Sequence, residues 1–290
     1  MACVVVTGGT GLLGSEIVDQ LVSVGNDVVC LGRSRPQRRE VEWIDIDLSR
    51  PFDVGRLPSQ ADAVVYLAQS ENFRDFPRGG REVFAINVAA PSYLLDWSAG
   101  AKVSSFVLAS SGGVYGGGTE LPLDEDTAVR LDGPLAHYIS SKRAAELLSE
   151  PYSAQFSVAS LRYFFIYGPQ QKETMLMRRL VGNVKARRPL TLQGENGMMF
   201  NPVHVSDAAE ATIAATRKNL SGIFNIAGPD LTSIREVGEL AGALTGAPPV
   251  FVQGEGKPNH LVANIDKMKN SLAIPKMGIR KGIMDLCNFA

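Results

Sequence analysis

The segment TGGTGLLG at residues 7–14 constrains this chain more than any other feature, because it directly follows an apolar run at residues 4–6. Gly8, Gly11 and Gly14 recur every three residues. In such a triplet the first glycine permits a tight turn, the second lets the backbone approach a pyrophosphate, and the third lets a helix pack closely on a sheet. Apolar residues then recur every four positions from 13 to 21, as on one helix face. This strand–turn–helix context favours dinucleotide binding over ordinary turn glycines.

Short apolar runs alternate with amphipathic segments along the first half of the chain, which is typical of a parallel sheet covered on both faces. The runs lie at residues 4–6, 28–31, 43–46, 63–68, 106–109 and 158–166, with a later one at 223–226. We therefore predict an α/β fold, a doubly wound parallel sheet (Rossmann) with a smaller, interleaved C-terminal substrate lobe.

The domain organisation follows from a change of pattern after Gly168 and Pro169. A basic amphipathic stretch at 175–188, a glycine-rich loop at 193–205 and one short helix at 234–245 replace the regular alternation. We expect residues 1–168 to form an NAD(P)-binding domain to which the chain returns around 200–228. Residues 169–290 should mainly form the substrate-binding lobe.

Composition excludes several classes of protein. With 20% charged residues and a net charge of -1, the chain has no general attraction for nucleic acid or anionic membranes. No apolar run approaches the roughly 18 residues of a membrane span. The N-terminus enters a strand directly, without a signal-peptide pattern. Three widely spaced cysteines lack metal-ligand spacing, and Cys3 and Cys30 read as buried thiols. We expect a cytoplasmic protein without a bound metal.

The end of the second apolar run bears on which dinucleotide is bound. NAD-binding proteins place an acidic residue there to bind the ribose 2′-hydroxyl. This chain instead has Gly32, Arg33, Ser34 and Arg35. Because the planar guanidinium of arginine matches a phosphate, NADP is favoured over NAD. The alternative is a solvated basic loop.

Two segments carry candidate reactive groups. HYISSK places Tyr138 and Lys142 four residues apart, hence on one face of a helix. A nearby lysine cation and an oxidised nicotinamide would lower the tyrosine pKa from its free value of about 10. FVLASSGG ends an apolar run in Ser110 and Ser111, at a strand end that borders the ligand crevice of such a sheet. Ser111 is therefore either a turn residue or a hydrogen-bonding partner of a substrate oxygen.

Taken together, these segments resemble the extended short-chain dehydrogenase/reductase family, the NAD(P)-dependent nucleotide-sugar epimerase/dehydratase group. The resemblance covers most of the chain. It rests on TGGTGLLG, Asp47-Leu48, VVYLAQS (64–70), INV (86–88), SSGGVYG (110–116), YISSK (138–142), RYFFIYGP (162–169) and NPVHVSD (201–207).

The resemblance implies roles for individual residues. Ser111, Tyr138 and Lys142 match the catalytic residues. Together with the residues already argued, the expected cofactor contacts are Gly8, Gly11, Leu12, Leu13, Gly14, Arg33, Asp47, Leu48, Leu67, Ala68, Gln69, Asn87, Tyr138, Lys142 and Phe164. The expected substrate contacts are Asn87, Ser111, Tyr138, Phe165, Arg178 and Arg179. A nucleotide-sugar-like substrate and a homodimer formed through the helices carrying Asn87 and Tyr138 are also implied.

The sequence departs from the family pattern at three places that bear on the reaction and on substrate binding. Gly112 and Gly113 stand where dehydratases carry an acid pair, which disfavours dehydration. Phe165 replaces a substrate-contacting asparagine, and an aromatic ring cannot replace the hydrogen bonds of an amide. Met198 and Met199 lie near the place of a frequent substrate-binding arginine.

Three functions remain open at this point. The leading one is hydride transfer by a nucleotide-sugar epimerase that oxidises C4 and returns the hydride to the other face. The second is an NADP-dependent ketoreductase or dehydrogenase. The third is a non-catalytic dinucleotide-binding module, against which the intact Ser111, Tyr138 and Lys142 set argues.

Overall fold

A seven-stranded, wholly parallel sheet forms the centre of the fold in the computed structural model, which describes residues 2–117 and 121–288. Met1 and residues 118–120 and 289–290, which fall within the two expected domains, lie outside the described part. The strands are β1 (Cys3–Thr7), β2 (Asp27–Gly32), β3 (Glu42–Asp45), β4 (Ala63–Tyr66), β5 (Ser105–Ser111), β6 (Ser157–Tyr163) and β9 (Gly222–Ile226), in the order β3-β2-β1-β4-β5-β6-β9. The predicted doubly wound α/β fold is confirmed.

Helices cover both faces of this sheet. They are α1 (Leu12–Ser23), α2 (Gly80–Phe84), α3 (Ala90–Gly100), α4 (Ala136–Ser149) and α6 (Val205–Arg217). Side chains of β1 alternate between the faces: Val4 and Val6 pack in the apolar cluster that includes α1, and Val5 in the cluster that includes α3. Burial on both faces explains why these strands are almost wholly apolar. Of the described helices, none is long and apolar enough to cross a membrane.

A smaller set of elements packs beside the carboxyl ends of the central strands. It contains α5 (Leu176–Lys185), α7 (Ile234–Thr245) and α9 (Ile279–Asn288), with the strand pairs β7 (Leu190–Gln193) and β11 (Phe251–Gly254), and β8 (Met199–Phe200) and β10 (Thr232–Ser233). The short helix α8 (Asp266–Ser271) packs instead on the central sheet, where Met268 joins the same apolar cluster as Phe224 of β9. The helices α5, α7 and α9 enclose an apolar cluster of their own. Through α6 and β9 the chain returns to the central sheet between these elements.

Two predicted element boundaries show which local signals are reliable. The helix expected at 234–245 has those bounds, with the Ser233 hydroxyl accepting from Glu236 N at its start and Gly246 in a left-handed conformation at its end. The strand expected at 158–166 stops at Tyr163. It stops there because Phe165 has a φ of 46°, which no strand residue adopts.

Candidate active site

The glycine segment forms a tight turn at the carboxyl end of β1. Gly8 has a φ of 70°, and its carbonyl accepts from Gly11 N at 2.9 Å. A Cβ at position 14 would overlap that carbonyl and the Gly9 Cα, so only glycine lets α1 approach this closely. The Thr7 hydroxyl accepts from Leu67 N and Ala68 N at 3.0 Å each, which joins the ends of β1 and β4. These strands flank the point at which the strand order reverses, where such sheets bind ligands.

A first cavity of about 490 Å³ opens beside this turn. Eight of the expected cofactor contacts line it: Gly8, Gly11, Arg33, Asp47, Leu48, Leu67, Ala68 and Gln69. Asn87 does not line it, although its neighbour Ile86 does. Arg33 is exposed at its rim, directly after β2. The Ser49 hydroxyl and amide donate to Asp47, and with the nearby cations Arg33 and Arg50 they lower the pKa of this carboxyl.

A second cavity of about 460 Å³ continues from the first, because Gly8, Gly11, Leu67 and Gln69 line both. The walls of the second cavity include Ser111, Tyr138, Lys142, Phe164 and Phe165, together with Leu12, Leu13 and Gly14. An elongated groove thus runs from the end of β2, across the glycine turn, to the end of β5. Its glycine floor and its length across two strand ends fit an extended dinucleotide.

The three predicted catalytic side chains meet in the second cavity. Tyr138 and Lys142 are almost fully buried on α4, and Ser111 is half-buried at the end of β5. The Tyr138 hydroxyl donates to Gln69 Oε1 at 3.2 Å, and the Lys142 ammonium donates to the Ala109 carbonyl at 3.0 Å. Ser111 Oγ accepts from Gly113 N at 3.1 Å, which orients the serine at the start of the following turn.

Burial dominates the titration of this cluster. It raises the pKa of Tyr138, and a hydrogen bond with Ser111 and the positive charge of Arg74 oppose that rise. Burial also lowers the pKa of Lys142 to about 8, against the opposing charge of Glu146. The sequence predicted that Lys142 lowers the tyrosine pKa, whereas the cation that does so here is Arg74. The Lys142 ammonium stands 5.9 Å from the centre of the Tyr138 ring.

Asn87 lies behind Tyr138 rather than on a cavity wall. It occupies a wide, π-type helical turn over Ala85–Ala89, a feature frequent at functional sites. Its amide donates to Ser141 Oγ at 2.9 Å, and Ser141 donates to the Tyr138 carbonyl at 2.7 Å. The buried Asn87 Oδ1 has no partner among the described residues. A bound group with a donor would satisfy this oxygen.

Arg178 and Arg179, the two arginines expected to contact the substrate, lie outside the second cavity. The Arg178 guanidinium donates to the Leu286 carbonyl at 3.2 Å, near the end of α9, and Arg179 is exposed on α5. Neither lines the second cavity. Met198 and Met199 lie at β8, where their backbone groups bond to Ile234 N and to the His260 ring.

Sequence reasoning missed two residues of the loop after β4. Phe73 and Arg74 line the second cavity; the Phe73 ring lies 4.8 Å from the Tyr138 ring, and the Arg74 guanidinium stacks over Phe73 at 4.2 Å. The only available signal was their position shortly after a strand that ends at the crevice.

A buried ion pair supports the cluster from behind. Glu146, one turn after Lys142 on α4, accepts from Arg162 Nε at 2.9 Å and from Arg162 Nη2 at 2.8 Å. It also accepts from the hydroxyl of Ser110, the neighbour of Ser111. This pair joins α4 to β5 and β6, the elements that carry the reactive groups.

Comparison with known proteins yields a consistent set. A model of the NAD dependent epimerase/dehydratase family matches residues 4–227. A putative UDP-glucose 4-epimerase of Methanocaldococcus jannaschii is 26% identical over 302 residues, which cover 99% of this chain and 97% of the relative. A UDP-N-acetyl-alpha-D-glucosaminuronate decarboxylase of Bacillus cytotoxicus is 29% identical over 255 residues, covering 81% and 77%. The structure of MoeE5 in complex with UDP-glucose and NAD superposes with a TM-score of 0.85 at 29% identity, covering 99% of this chain and 97% of that one.

Proposed function

The chain belongs to the NAD dependent epimerase/dehydratase family, and we propose that it is a nucleotide-sugar epimerase that works by reversible oxidation of a ring carbinol. The observation that carries the proposal is the meeting of Ser111, Tyr138 and Lys142 in a cavity continuous with the glycine turn. The relatives named as a UDP-glucose epimerase and a UDP-sugar decarboxylase, and a neighbour that binds UDP-glucose, support this substrate class.

The residues of the cavity divide the work of proton transfer. Tyr138 takes the proton of the carbinol oxygen as the carbon is oxidised. It returns the proton to the same oxygen when the carbinol forms again with the opposite configuration. Ser111 donates a hydrogen bond to the same oxygen. Lys142 keeps a positive charge beside them at neutral pH, and Arg74 favours the ionised phenol. The groove that crosses the glycine turn at Gly8 and Gly11 would hold a nicotinamide dinucleotide, which would supply the acceptor and donor of the hydride.

The cofactor is proposed to be NADP. Arg33 lines the first cavity directly after β2, where the last strand residue, Gly32, offers no carboxylate to a ribose 2′-hydroxyl. Arg38 is already occupied by Asp19 at 2.6 Å and by Glu40 at 3.1 Å, which makes Arg33 the better candidate for a 2′-phosphate. The neighbour MoeE5 was solved with NAD, so the proposed preference for NADP would distinguish this chain from that protein.

The elements after Pro169 are proposed to hold the nucleotide part of the substrate.

The protein is proposed to be a homodimer. The apolar residues Phe84, Tyr93, Leu147 and Leu148 are 38–57% exposed on α2, α3 and α4. A second copy would cover them. Replacing Leu147 and Leu148 by glutamate should yield monomers in analytical ultracentrifugation.

The activity is tested by incubating the protein with UDP-glucose or UDP-galactose and a substoichiometric amount of NADP⁺, with the anomeric protons followed by NMR. The proposal predicts interconversion of the two sugars without accumulation of NADPH. Conversion of the added NADP⁺ to NADPH, with an equal amount of keto product, would identify the alternative, a dehydrogenase. If the protein converts no UDP-hexose, both the epimerase and the dehydrogenase hypotheses are contradicted.

A further inference from the structure

Phe165 has a backbone conformation that is unusual for its residue type. Its φ of 46° lies in the left-handed region, where glycine and asparagine are common and a bulky aromatic residue is a genuine outlier. The residue follows the end of β6 and precedes Tyr167, whose amide donates to the Val203 carbonyl at 2.9 Å. Strained conformations of this kind persist where the surroundings enforce them, and they cluster at ligand sites.

The strained backbone turns the Phe165 ring toward the second cavity. The half-buried ring lines that cavity and packs edge-on against the fully buried Phe200, with their centres 5.1 Å apart. A residue with ordinary backbone angles would send its side chain in a different direction. The conformation therefore places an aromatic face on the cavity wall.

The second cavity has two chemically distinct walls. Most of its polar side chains, among them Gln69, Ser111, Tyr138 and Lys142, come from the β4 loop, β5 and α4. Tyr163 at the end of β6 also lines it, but its hydroxyl is hydrogen-bonded to Thr212. From Phe164 onward the described lining residues carry no side-chain nitrogen or oxygen: they are Phe164, Phe165, Ile166, Met175 and Leu261. At the junction, a Cβ on Gly112 would lie only 2.6 Å from the Phe164 ring, so the ring occupies the space of a side chain there.

We propose that the sugar taken by this site is a 6-deoxyhexose, whose methyl group faces Phe165. This inference rests on the proposed function, because it places the reacting C4 carbinol against Tyr138. The carbon next to C4 in the ring, C5, carries the substituent that this proposal places against the apolar wall formed by Phe165 and its neighbours. A hydroxymethyl or carboxylate group there would lose water without gaining a hydrogen bond, whereas a methyl group is buried favourably.

The test compares UDP-6-deoxyglucose, UDP-glucose and UDP-glucuronate as substrates of the NADP-loaded protein, by kcat/KM for 4-epimerisation. We expect the 6-deoxy sugar to exceed UDP-glucose by about tenfold or more, the usual size of discrimination by an apolar pocket. Equal or better use of UDP-glucose or UDP-glucuronate overturns the inference and leaves the proposed function standing. Turnover of none of the three overturns both.

The variant Phe165→Asn assigns the preference to this residue, since asparagine tolerates the left-handed conformation. It should abolish the advantage of the 6-deoxy sugar, and an unchanged ratio would contradict the role of Phe165. Lys102→Asn is the matched control, because Lys102 has a φ of 60° on an exposed turn outside the cavity. Its substrate ratio should equal that of the wild type. If Phe165→Asn does not fold, the wild-type ratio alone decides the substrate class.

Discussion

Arg162 on β6 holds Glu146 on α4 by two hydrogen bonds of 2.9 and 2.8 Å, with both side chains no more than 2% exposed. Burial alone would raise the pKa of Glu146, but the hydrogen bonds and charge of Arg162 lower it, so the carboxylate stays ionised. The helix that carries Tyr138 and Lys142 is thereby fixed to the strand that precedes Phe164 and Phe165. The pair thereby connects elements that contribute side chains to both walls of the second cavity.

Arg162→Met should lower the free energy of unfolding by about 3–5 kcal/mol, because it leaves a buried carboxylate without its partner. Arg143→Met is the control: Arg143 also binds Glu146, at 2.9 Å, but its side chain is 29% exposed, and such pairs contribute about 1 kcal/mol or less. Urea unfolding of the two variants measures the difference. Equal losses would contradict a special role for the buried pair.

Lys142 should make stability depend on pH. Its pKa is about 8 in the folded protein against 10.5 ordinarily, so between these values this lysine binds more protons in the unfolded chain and its own contribution to stability rises with pH. Lys142→Met removes this contribution, which has a maximal slope of about 1.4 kcal/mol per pH unit. Unfolding free energies from pH 7 to 10.5 should therefore show a smaller slope for the variant. The exposed-site control Lys257→Met should follow the wild type, and parallel profiles for all three proteins would contradict this prediction.

Arg74→Gln should shift the pH dependence of turnover to higher pH. The charge of Arg74 lowers the pKa of Tyr138, so its removal raises that pKa and requires a higher pH to form the phenolate. The pH profile of kcat for sugar oxidation reports the inflection. Arg78→Gln, on the same loop but outside the second cavity, should leave it in place. An unmoved inflection in Arg74→Gln would show that its charge does not reach Tyr138.

Arg33→Ala should weaken NADPH binding by about tenfold to a hundredfold, the usual cost of losing hydrogen bonds to a charged group, with NADH binding unchanged. Arg39→Ala, on the same exposed segment but outside the first cavity, is the control. Fluorescence titration with the two reduced dinucleotides gives the affinities. Wild-type protein that binds NADH as tightly as NADPH would contradict the assignment of Arg33.

Local and periodic features of the sequence predicted the central sheet and the glycine turn. The strands could be predicted from their apolar runs because parallel strands are buried on both faces. The bounds of α7 could be predicted because Ser233 and Gly246 mark its ends. The end of β6 at Tyr163 could not be predicted, since Phe165 adopts a left-handed conformation that a phenylalanine does not favour by residue type.

Long-range contacts account for the rest of what the sequence could not predict. The amphipathic pattern of α5 marks its buried face, but nothing in it indicates that Arg178 binds the Leu286 carbonyl on α9. Likewise, the direction of the Tyr138 pKa depends on burial and on Arg74, which lies in a loop 64 residues earlier. Such effects follow from tertiary structure and have no local signature.

The central claim is that Tyr138 transfers the proton in a reaction at the end of β5. The most direct measurement compares Tyr138→Phe with Tyr93→Phe, a tyrosine on α3 outside both cavities, for epimerisation rate and NADP affinity. Tyr138→Phe should lose about a hundredfold to ten-thousandfold in kcat while keeping its affinity for NADP, and Tyr93→Phe should keep both. Turnover retained in Tyr138→Phe would contradict the account and would leave a dinucleotide-binding protein whose function does not need this side chain.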